Sequence, residues 1–374
     1  MSFKWSLPHS DSIDIWGPGG WTGHCMRSDC SEEQDRGPLW AANRSSRASA
    51  SDPKRTLTGL RIRKLPSHRT LGILRRLAFW ATTTGWDRGG SLKLVSYIFR
   101  GETRTGAVSD GRVVDVGARS MLTLLRGGRE ALTAARSSAE RACRDKEARA
   151  HPLLEEVELI APLRPPKIVA VGRNYADHAA ETGMKPLEAP RIIAKLPSSV
   201  VGPGAVVVRP EGIVKLDYEC ELAAVIGMPT KRVNIENALD SIAGYTILDD
   251  VSAREFQFDV SPAQTTFAKS MDGFCPMGPW LVTRDEIPDP QQLRLRTWVN
   301  DELVQDASTR DMTFSVATLV AYISRYMTLE PGDVIATGTP AGVGAFRKPP
   351  RWLQPSDRVK LEISRIGTLE HSIG

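Results

Sequence analysis

From Lys167 onward, the chain alternates short runs of β-forming residues with turn signals, and this alternation constrains its fold more than any other feature. One clear helix interrupts the strands, because residues 314–326 place their apolar side chains on one face and Pro331 follows. This spacing does not fit strict βαβ alternation, so it predicts a mainly β, α+β fold rather than a doubly wound sheet. The predicted strands are 168–171, 191–195, 205–208, 217–226, 242–249, 293–299 and 333–337.

A smaller unit precedes this region. Short strands with a hairpin turn are predicted within 94–116, and an amphipathic helix is predicted over 129–149. The prolines at 162, 165 and 166 then interrupt regular structure, because proline cannot continue a helix or an internal strand. We therefore predict a small N-terminal α+β domain over 92–160 and a second domain over 161–374.

Residues 1–91 differ from the rest in composition, and we expect them to form a disordered leader. Residues 1–90 hold 14 Lys/Arg and 8 Asp/Glu, a net charge of +6, whereas the rest hold 35 and 36, a net charge of −1. The basic balance of the chain therefore predicts no nucleic-acid partner. Three origins of the leader stay open: a targeting or membrane-surface segment, an over-long start-site assignment, or an uncharacterised extension.

Membrane and secretory classes are not favoured. The sequence has no run of about 18 consecutive apolar residues, and its first residues lack the apolar core of a signal peptide. Its five cysteines are irregularly spaced without a Cys-x-x-Cys pair, which predicts free thiols in a reducing compartment. We expect a cytoplasmic protein with no membrane partner.

The segment 215–227, KLDYECELAAVIG, predicts a metal site. Side chains alternate along a strand, so Glu219 and Glu221 share one face and Cys220 lies on the other. Two neighbouring carboxylates repel each other unless a positive charge lies between them, and a hard cation such as Mg²⁺ or Mn²⁺ takes oxygen ligands. The alternative is a solvated strand face that carries two acids.

A third carboxylate follows the predicted strand 242–249. Asp249 and Asp250 point to opposite sides, so only one of them should reach a metal. Ser252 and Glu255 have the spacing of a capping box, which predicts that a short helix begins there.

His178 and Glu181 are spaced to share one face of a short helix. A histidine with a carboxylate partner can activate water near neutral pH. An exposed helical pair without catalytic function is the alternative.

Two lysines and one glycine-rich loop are further candidates for substrate contact. Lys195 and Lys269 are flanked by small or apolar residues and could clamp an anionic substrate, or simply extend to solvent. The loop 337–344, TGTPAGVG, lacks the ending of a P-loop, so nucleotide binding is not predicted. Its backbone amides, that of Gly338 among them, could hold a carboxylate or carbonyl oxygen.

Six stretches in order resemble the fumarylacetoacetate hydrolase superfamily: VGRNYADH, IIAKLPSSVVGPG, KLDYECEL, DDVSARE, FAKSMDGFCPMGPWLVT and TGTPAGVG. The resemblance covers about residues 167–373. It implies a β-sandwich roll, a homodimer and a Mg²⁺ or Mn²⁺ site with Glu219, Glu221 and Asp250 as ligands.

The resemblance also implies roles for other residues. His178 and Glu181 match the hydrolytic dyad and Lys269 matches the lysine that faces the substrate, while Gln257 and Thr339 match polar contacts. Asp249 stands where the family often has Asn, which could alter metal affinity, and Glu255 stands where it often has Asp.

The function implied is hydrolysis of the C–C bond of acylpyruvate-like 2,4-dioxo acids in small-molecule or aromatic-compound catabolism. The 2-oxo acid would chelate the metal, and His178 would activate the attacking water. Isomerisation of a 2-hydroxyhepta-2,4-diene-1,7-dioate type of substrate, or decarboxylation of oxaloacetate, would use the same metal-enolate chemistry. A non-enzymatic metabolite-binding protein is a further alternative, which predicts stabilisation by ligand without turnover.

Overall fold

The structure is a computed structural model that describes residues 92–144, 150–181 and 187–374. The side chains of residues 143–144 and 178–180 lie outside this description. The expected disordered leader, residues 1–91, also lies outside it, as does the end of the helix predicted over 129–149.

The described part of the chain is mainly β, as the strand pattern predicts. Within the described residues, six α-helices accompany the strands: α1 (Met121–Arg126), α2 (Gly128–Arg144), α3 (Ala176–Glu181), α4 (Ile235–Ala238), α5 (Thr265–Ala268) and α6 (Val316–Tyr326). The strands are β1 (Lys93–Phe99), β2 (Glu102–Ser109), β3 (Arg112–Asp115), β4 (Glu158–Ile160), β5 (Ile168–Gly172), β6 (Arg191–Lys195), β7 (Val200–Val201), β8 (Val206–Val207), β9 (Leu216–Asp217), β10 (Cys220–Ile226), β11 (Ile242–Asp249), β12 (Ser252–Ala253), β13 (Cys275–Thr283), β14 (Arg294–Val299), β15 (Glu302–Ser308), β16 (Val334–Ala336), β17 (Arg358–Ile363) and β18 (Gly367–Ile373).

One large sheet forms the centre of the fold, in the order β3-β2-β1-β13-β11-β10-β16-β5-β6, with β4 added beside β1 and β7 beside β13. Its central strands β10 and β11 are buried along their whole length. Such burial on both faces explains why their sequences are almost continuously apolar. β1 pairs with β13, so backbone hydrogen bonds join residues 92–160 to the rest of the sheet. The domain boundary near residue 160 stays a prediction.

A second sheet has the order β15-β14-β17-β18-β8. It packs against one face of the large sheet, where β18 contacts β13 and β17 contacts β11. The two sheets share an apolar core in which Leu222 and Ile247 of the large sheet join Leu361 and Leu369 of the small one. On the other face, α1 and α2 contribute to a second core that includes residues of β1, β10 and β13. The result is a sheet sandwich with α1 and α2 on one outer side.

The predicted helix over 314–326 is confirmed as α6, which begins after Ser315. The Ser315 hydroxyl accepts a hydrogen bond from the backbone N–H of Thr318 and so caps the helix. Among the described residues, no helix is both long enough and apolar enough to cross a membrane.

Candidate active site

A cavity of about 370 Å³ lies at one edge of the large sheet. β10 pairs antiparallel with β11 and β16, and β5 runs parallel to β16 and antiparallel to β6. The carboxyl ends of β5, β11 and β16 therefore meet the amino ends of β6 and β10 at this edge. Residues from distant parts of the sequence thus line one cavity.

Three buried carboxylates form the inner end of the cavity. One oxygen from each of Glu219, Glu221 and Asp250 lies within 4.8 Å of the others. Glu219 and Glu221 share a face, in agreement with the alternation along β10. Asp249 points away, since its carboxylate accepts a hydrogen bond from the backbone N–H of Glu219 at 2.8 Å and lies 2.7 Å from Nε2 of His371.

Lys269 lies among these acids. Its Nζ donates to Glu219 Oε2 at 2.8 Å, to Asp250 Oδ2 at 2.7 Å and to the Ser252 hydroxyl at 2.8 Å. Burial lowers the pKa of Lys269, but the charges of Asp250 and Glu219 more than offset this and raise the pKa above its usual 10.5. The ammonium group is therefore charged near neutral pH.

Glu221 shows that negative charge at the inner end is not fully compensated. Burial, together with the charges of Asp250 and Glu219, raises the pKa of Glu221 well above its usual 4.5. Its Oε2 accepts a hydrogen bond from the backbone N–H of Gly338 at 2.8 Å. A divalent cation among the three carboxylates would remove this repulsion.

The donor set fits a hard divalent cation. The three clustered ligands are carboxylate oxygens, which Mg²⁺ and Mn²⁺ prefer. The Cys220 thiol, which a softer metal would favour, does not line the cavity, and burial raises its pKa above the usual 9.0. Glu219, Glu221 and Asp250 are thus the residues that could hold the metal.

Lys195 is placed behind Asp250 and does not line the cavity. Its side chain is 0% exposed, and its Nζ donates to Asp250 Oδ1 at 2.8 Å and to the backbone oxygens of Lys269 and Phe274. These contacts fix the Asp250 carboxylate. Direct contact of Lys195 with substrate stays a prediction.

Arg254 is a site residue that the sequence reasoning missed. Its Nε donates to Asp217 Oδ2 at 2.9 Å, its Nη2 lies 2.8 Å from Glu219 Oε1, and its Nη1 donates to Gln257 Oε1 at 2.7 Å. Burial lowers the pKa of Arg254, but the charges of Asp217 and Glu219 raise it above the usual 12.5. Its position between acids in DDVSARE was the only signal available in the sequence.

The capping box predicted at Ser252 and Glu255 is wrong. Ser252 lies in β12 and uses its hydroxyl to contact Lys269 and to donate to the backbone oxygen of Asp250. Glu255 begins a π-helical turn, Glu255–Asp259, and its carboxylate accepts from the backbone N–H groups of Val214 and Lys215. Both side chains therefore make tertiary contacts instead of capping a helix. Gln257 lies on this turn and lines the cavity, and its contact with substrate stays a prediction.

The glycine-rich loop 337–344 borders the cavity. Gly338 has a φ of 95°, and an added Cβ would lie 2.8 Å from Cβ of Asn174, so only glycine fits there. Thr339 lines the cavity, and its hydroxyl accepts a hydrogen bond from Gln305 Nε2 at 2.9 Å. The loop thus places Gly338 and Thr339 beside the acids, with the Gly338 N–H donating to Glu221, and contact of either residue with substrate stays a prediction.

The predicted His178–Glu181 pair lies on α3, but the side chain of His178 is outside the described residues. Glu181 accepts a hydrogen bond from the backbone N–H of Gly342 at 3.2 Å, which links α3 to the loop 337–344. The hydrolytic dyad therefore stays a prediction.

Comparison with known proteins identifies the family. Residues 167–374 match the family described as fumarylacetoacetate (FAA) hydrolase C-terminal. The chain belongs to this family. The resemblance seen in the six sequence stretches is thereby confirmed.

Individual members show how similar the chain is to known proteins. The mitochondrial oxaloacetate tautomerase fahd2 of Xenopus laevis is 44% identical over 218 residues, which span 58% of this chain and 68% of that protein. A solved fumarylacetoacetate hydrolase from Exiguobacterium antarcticum has a TM-score of 0.66 and 39% identity, over 76% of this chain and 99% of its own. A maleylpyruvate hydrolase from Sphingobium, solved with manganese(II) and pyruvate, has a TM-score of 0.61 and 30% identity, over 75% of this chain and 98% of its own. These structures confirm the predicted fold class.

Proposed function

We propose that this chain is a divalent-metal-dependent enzyme that catalyses keto–enol tautomerisation of a 2-oxo acid such as oxaloacetate, in which the enol oxygen loses a proton and the neighbouring carbon gains one. The observation that carries this proposal is the set of three buried carboxylates with Lys269 in one cavity. The 44% identity to an oxaloacetate tautomerase supports it.

The residues of the inner end have distinct tasks in this proposal. Mg²⁺ or Mn²⁺, held by Glu219, Glu221 and Asp250, would act as a Lewis acid toward the 2-oxo acid. The charged Lys269 stabilises negative charge on the substrate oxygen, because it is already oriented in a buried site. Arg254 holds Glu219 and Gln257 in place and so positions the cavity wall.

C–C hydrolysis of an acylpyruvate-like 2,4-dioxo acid is the second candidate. It is supported by the spacing of His178 and Glu181 and by the similarity to a maleylpyruvate hydrolase. In this reaction His178, oriented by Glu181, would take a proton from the attacking water. Isomerisation or decarboxylation of a 2-oxo diacid would also use the metal ligands Glu219, Glu221 and Asp250 and the charge of Lys269.

The two candidates are separated by parallel assays with Mn²⁺. Conversion of enol-oxaloacetate to the keto form is followed by ultraviolet absorbance, and hydrolysis of an acylpyruvate by loss of its diketo absorbance. We expect rapid tautomerisation that a chelator abolishes and added Mn²⁺ restores. Acylpyruvate hydrolysis without any acceleration of tautomerisation would overturn the leading proposal in favour of the hydrolase.

Three wider properties remain proposals for this chain: a homodimer, a cytoplasmic location and a role in aromatic-compound catabolism. The Xenopus laevis relative is named as mitochondrial. Fractionation of cells that produce the full chain would decide between the two compartments.

A further inference from the structure

Two arginines line the same cavity, and we call their side its outer end because Arg191 is exposed and Arg173 half-buried, whereas the three acids are buried. Arg191 begins β6 and is paired in register with Gly172 of β5, and Arg173 directly follows Gly172. Both arginines line the cavity that also contains Glu219, Glu221 and Asp250. Sheet pairing therefore brings two guanidinium groups to the side of the cavity where β5 ends and β6 begins.

The two arginines are close enough to influence each other. Burial, together with the positive charge of Arg173, lowers the pKa of Arg191 below its usual 12.5. Arg173 adopts a φ of 57°, in a region that residues other than glycine seldom occupy. Two like charges that line one side of a cavity favour the binding of an anion there.

The inner cations differ from Arg191 in their partners. Arg254 contacts Asp217 and Glu219, and Lys269 contacts Glu219 and Asp250. In the described part of the chain, no carboxylate lies within ion-pairing distance of Arg191. A carboxylate ligand could therefore take this position without displacing an existing salt bridge, and guanidinium groups bind carboxylates through paired hydrogen bonds.

We propose that Arg173 and Arg191 form a subsite for the second carboxylate of a 2-oxo diacid. The 2-oxo carboxylate end would lie at the acids and Lys269, and the distal carboxylate at the two arginines. This inference rests on the proposed function and deepens it, because it states that the enzyme selects diacids over 2-oxo acids with an uncharged tail.

The cavity also contains features that would suit an uncharged tail. Phe258 and Phe346 line it, and their rings lie 6.1 Å apart. If these rings held an apolar acyl group, Arg191 would remain in solvent and its replacement would not affect selectivity. The two possibilities therefore predict opposite results for a matched pair of ligands.

Binding is measured by calorimetry on the full chain with saturating Mn²⁺, which gives a readout that does not depend on turnover. The matched ligands are 2-oxoglutarate and 2-oxopentanoate, which have the same carbon chain but differ in the distal carboxylate. We expect the wild-type protein to bind 2-oxoglutarate about ten- to hundredfold more tightly, since contacts with a charged group contribute about 1.5–3 kcal/mol.

Arg191→Met should remove this preference and leave the Kd for 2-oxopentanoate within about twofold, because Met keeps the length of the side chain without its charge. Arg191→Lys should retain part of the preference, since it keeps the charge but loses the planar fork. Arg325→Met removes an exposed arginine near the end of α6, outside the cavity, and serves as the matched control. It should bind both ligands as the wild-type protein does.

The possible results separate the subsite from the proposed function. Binding of neither 2-oxo acid by the wild-type protein would overturn the proposed function and the subsite together. Equal binding of both ligands, or an Arg191→Met variant that keeps the preference, would overturn the subsite alone. Preference for 2-oxopentanoate would assign the outer end to an apolar acyl group.

Discussion

The inner and outer ends of the cavity carry charge in different ways. At the inner end, Glu219 and Asp250 contact Lys269, Arg254 pairs with Glu219 in the cavity wall, and Lys195 lies behind Asp250. At the outer end, Arg191 has no such carboxylate among the described residues. Charges that the protein already pairs are held in fixed positions, whereas an unpaired charge in a cavity is available to a ligand. In our proposal, the inner end is therefore preorganised for a metal and the reacting atoms, and the outer end for recognition.

Glu221→Gln, at the inner end, should have the largest effect of the substitutions proposed here. The amide keeps an oxygen for the Gly338 N–H but removes one ligand charge, so metal-dependent activity should fall by about 10³-fold. Without metal, the thermal midpoint should stay the same or rise, since the raised pKa of Glu221 shows that its negative charge is unfavourable in the fold. Activity and the shift in thermal midpoint on adding Mn²⁺ are the measurements.

Glu362→Gln on β17, outside the cavity, is the control and should behave as the wild-type protein does. A Glu221→Gln variant that is still stabilised by Mn²⁺ to the wild-type extent would exclude Glu221 as a metal ligand.

Lys195→Met tests whether the buried ion pair between Lys195 and Asp250 stabilises the folded state. This change leaves Asp250 buried with one cation fewer, so the free energy of unfolding of the metal-free protein should fall by about 3–5 kcal/mol. Saturating Mn²⁺ should reduce the loss, because the metal would compensate Asp250. Urea unfolding with and without Mn²⁺ measures both values.

The exposed pair Lys215–Asp259 provides the comparison, since Lys215→Met should cost no more than about 1 kcal/mol. Equal losses for the two lysine variants would mean that burial of Lys195 has no special energetic role.

The acid cluster could be predicted from the sequence because it depends on local geometry. Alternation along the chain at the start of β10 places Glu219 and Glu221 together, and only one of the two successive aspartates at the end of β11 can face the same way. The lysines were harder to interpret. Lys195 bonds to groups 55 to 79 residues away, so its sequence neighbours do not distinguish a buried lysine from an exposed one.

β13 and Arg254 show why other features could not be predicted. β13 is buried throughout, although Pro276 and Pro279 argue against a central strand. Its place between β1 and β11 depends on sheet pairing over long distances in the sequence. The position of the Arg254 side chain likewise depends on a contact with Asp217, which is 37 residues away. The sequence around Arg254 resembles an ordinary charged turn.

Arg254→Lys tests whether the fork geometry of Arg254 matters in addition to its charge. Lysine cannot bridge Asp217, Glu219 and Gln257 at once, so kcat/KM and Mn²⁺ affinity should fall by about 10- to 100-fold. Arg294→Lys is a matched control, because Arg294 makes an exposed two-point contact with Asp306 on the small sheet. If both variants keep full activity, the position of Glu219 does not depend on the guanidinium group.

Glu181→Gln has the smallest expected effect and separates two roles of α3. The amide can still accept from the Gly342 N–H, so the contact with the loop 337–344 should persist. Tautomerisation should therefore change by less than about twofold, whereas any acylpyruvate hydrolysis should slow about tenfold, because the carboxylate no longer orients His178. Glu188→Gln, an exposed acid shortly before β6, controls for a general loss of charge. Equal slowing of both reactions would show that Glu181 acts by holding the loop beside Gly338 and Thr339, and the water-activating dyad would then have to be abandoned.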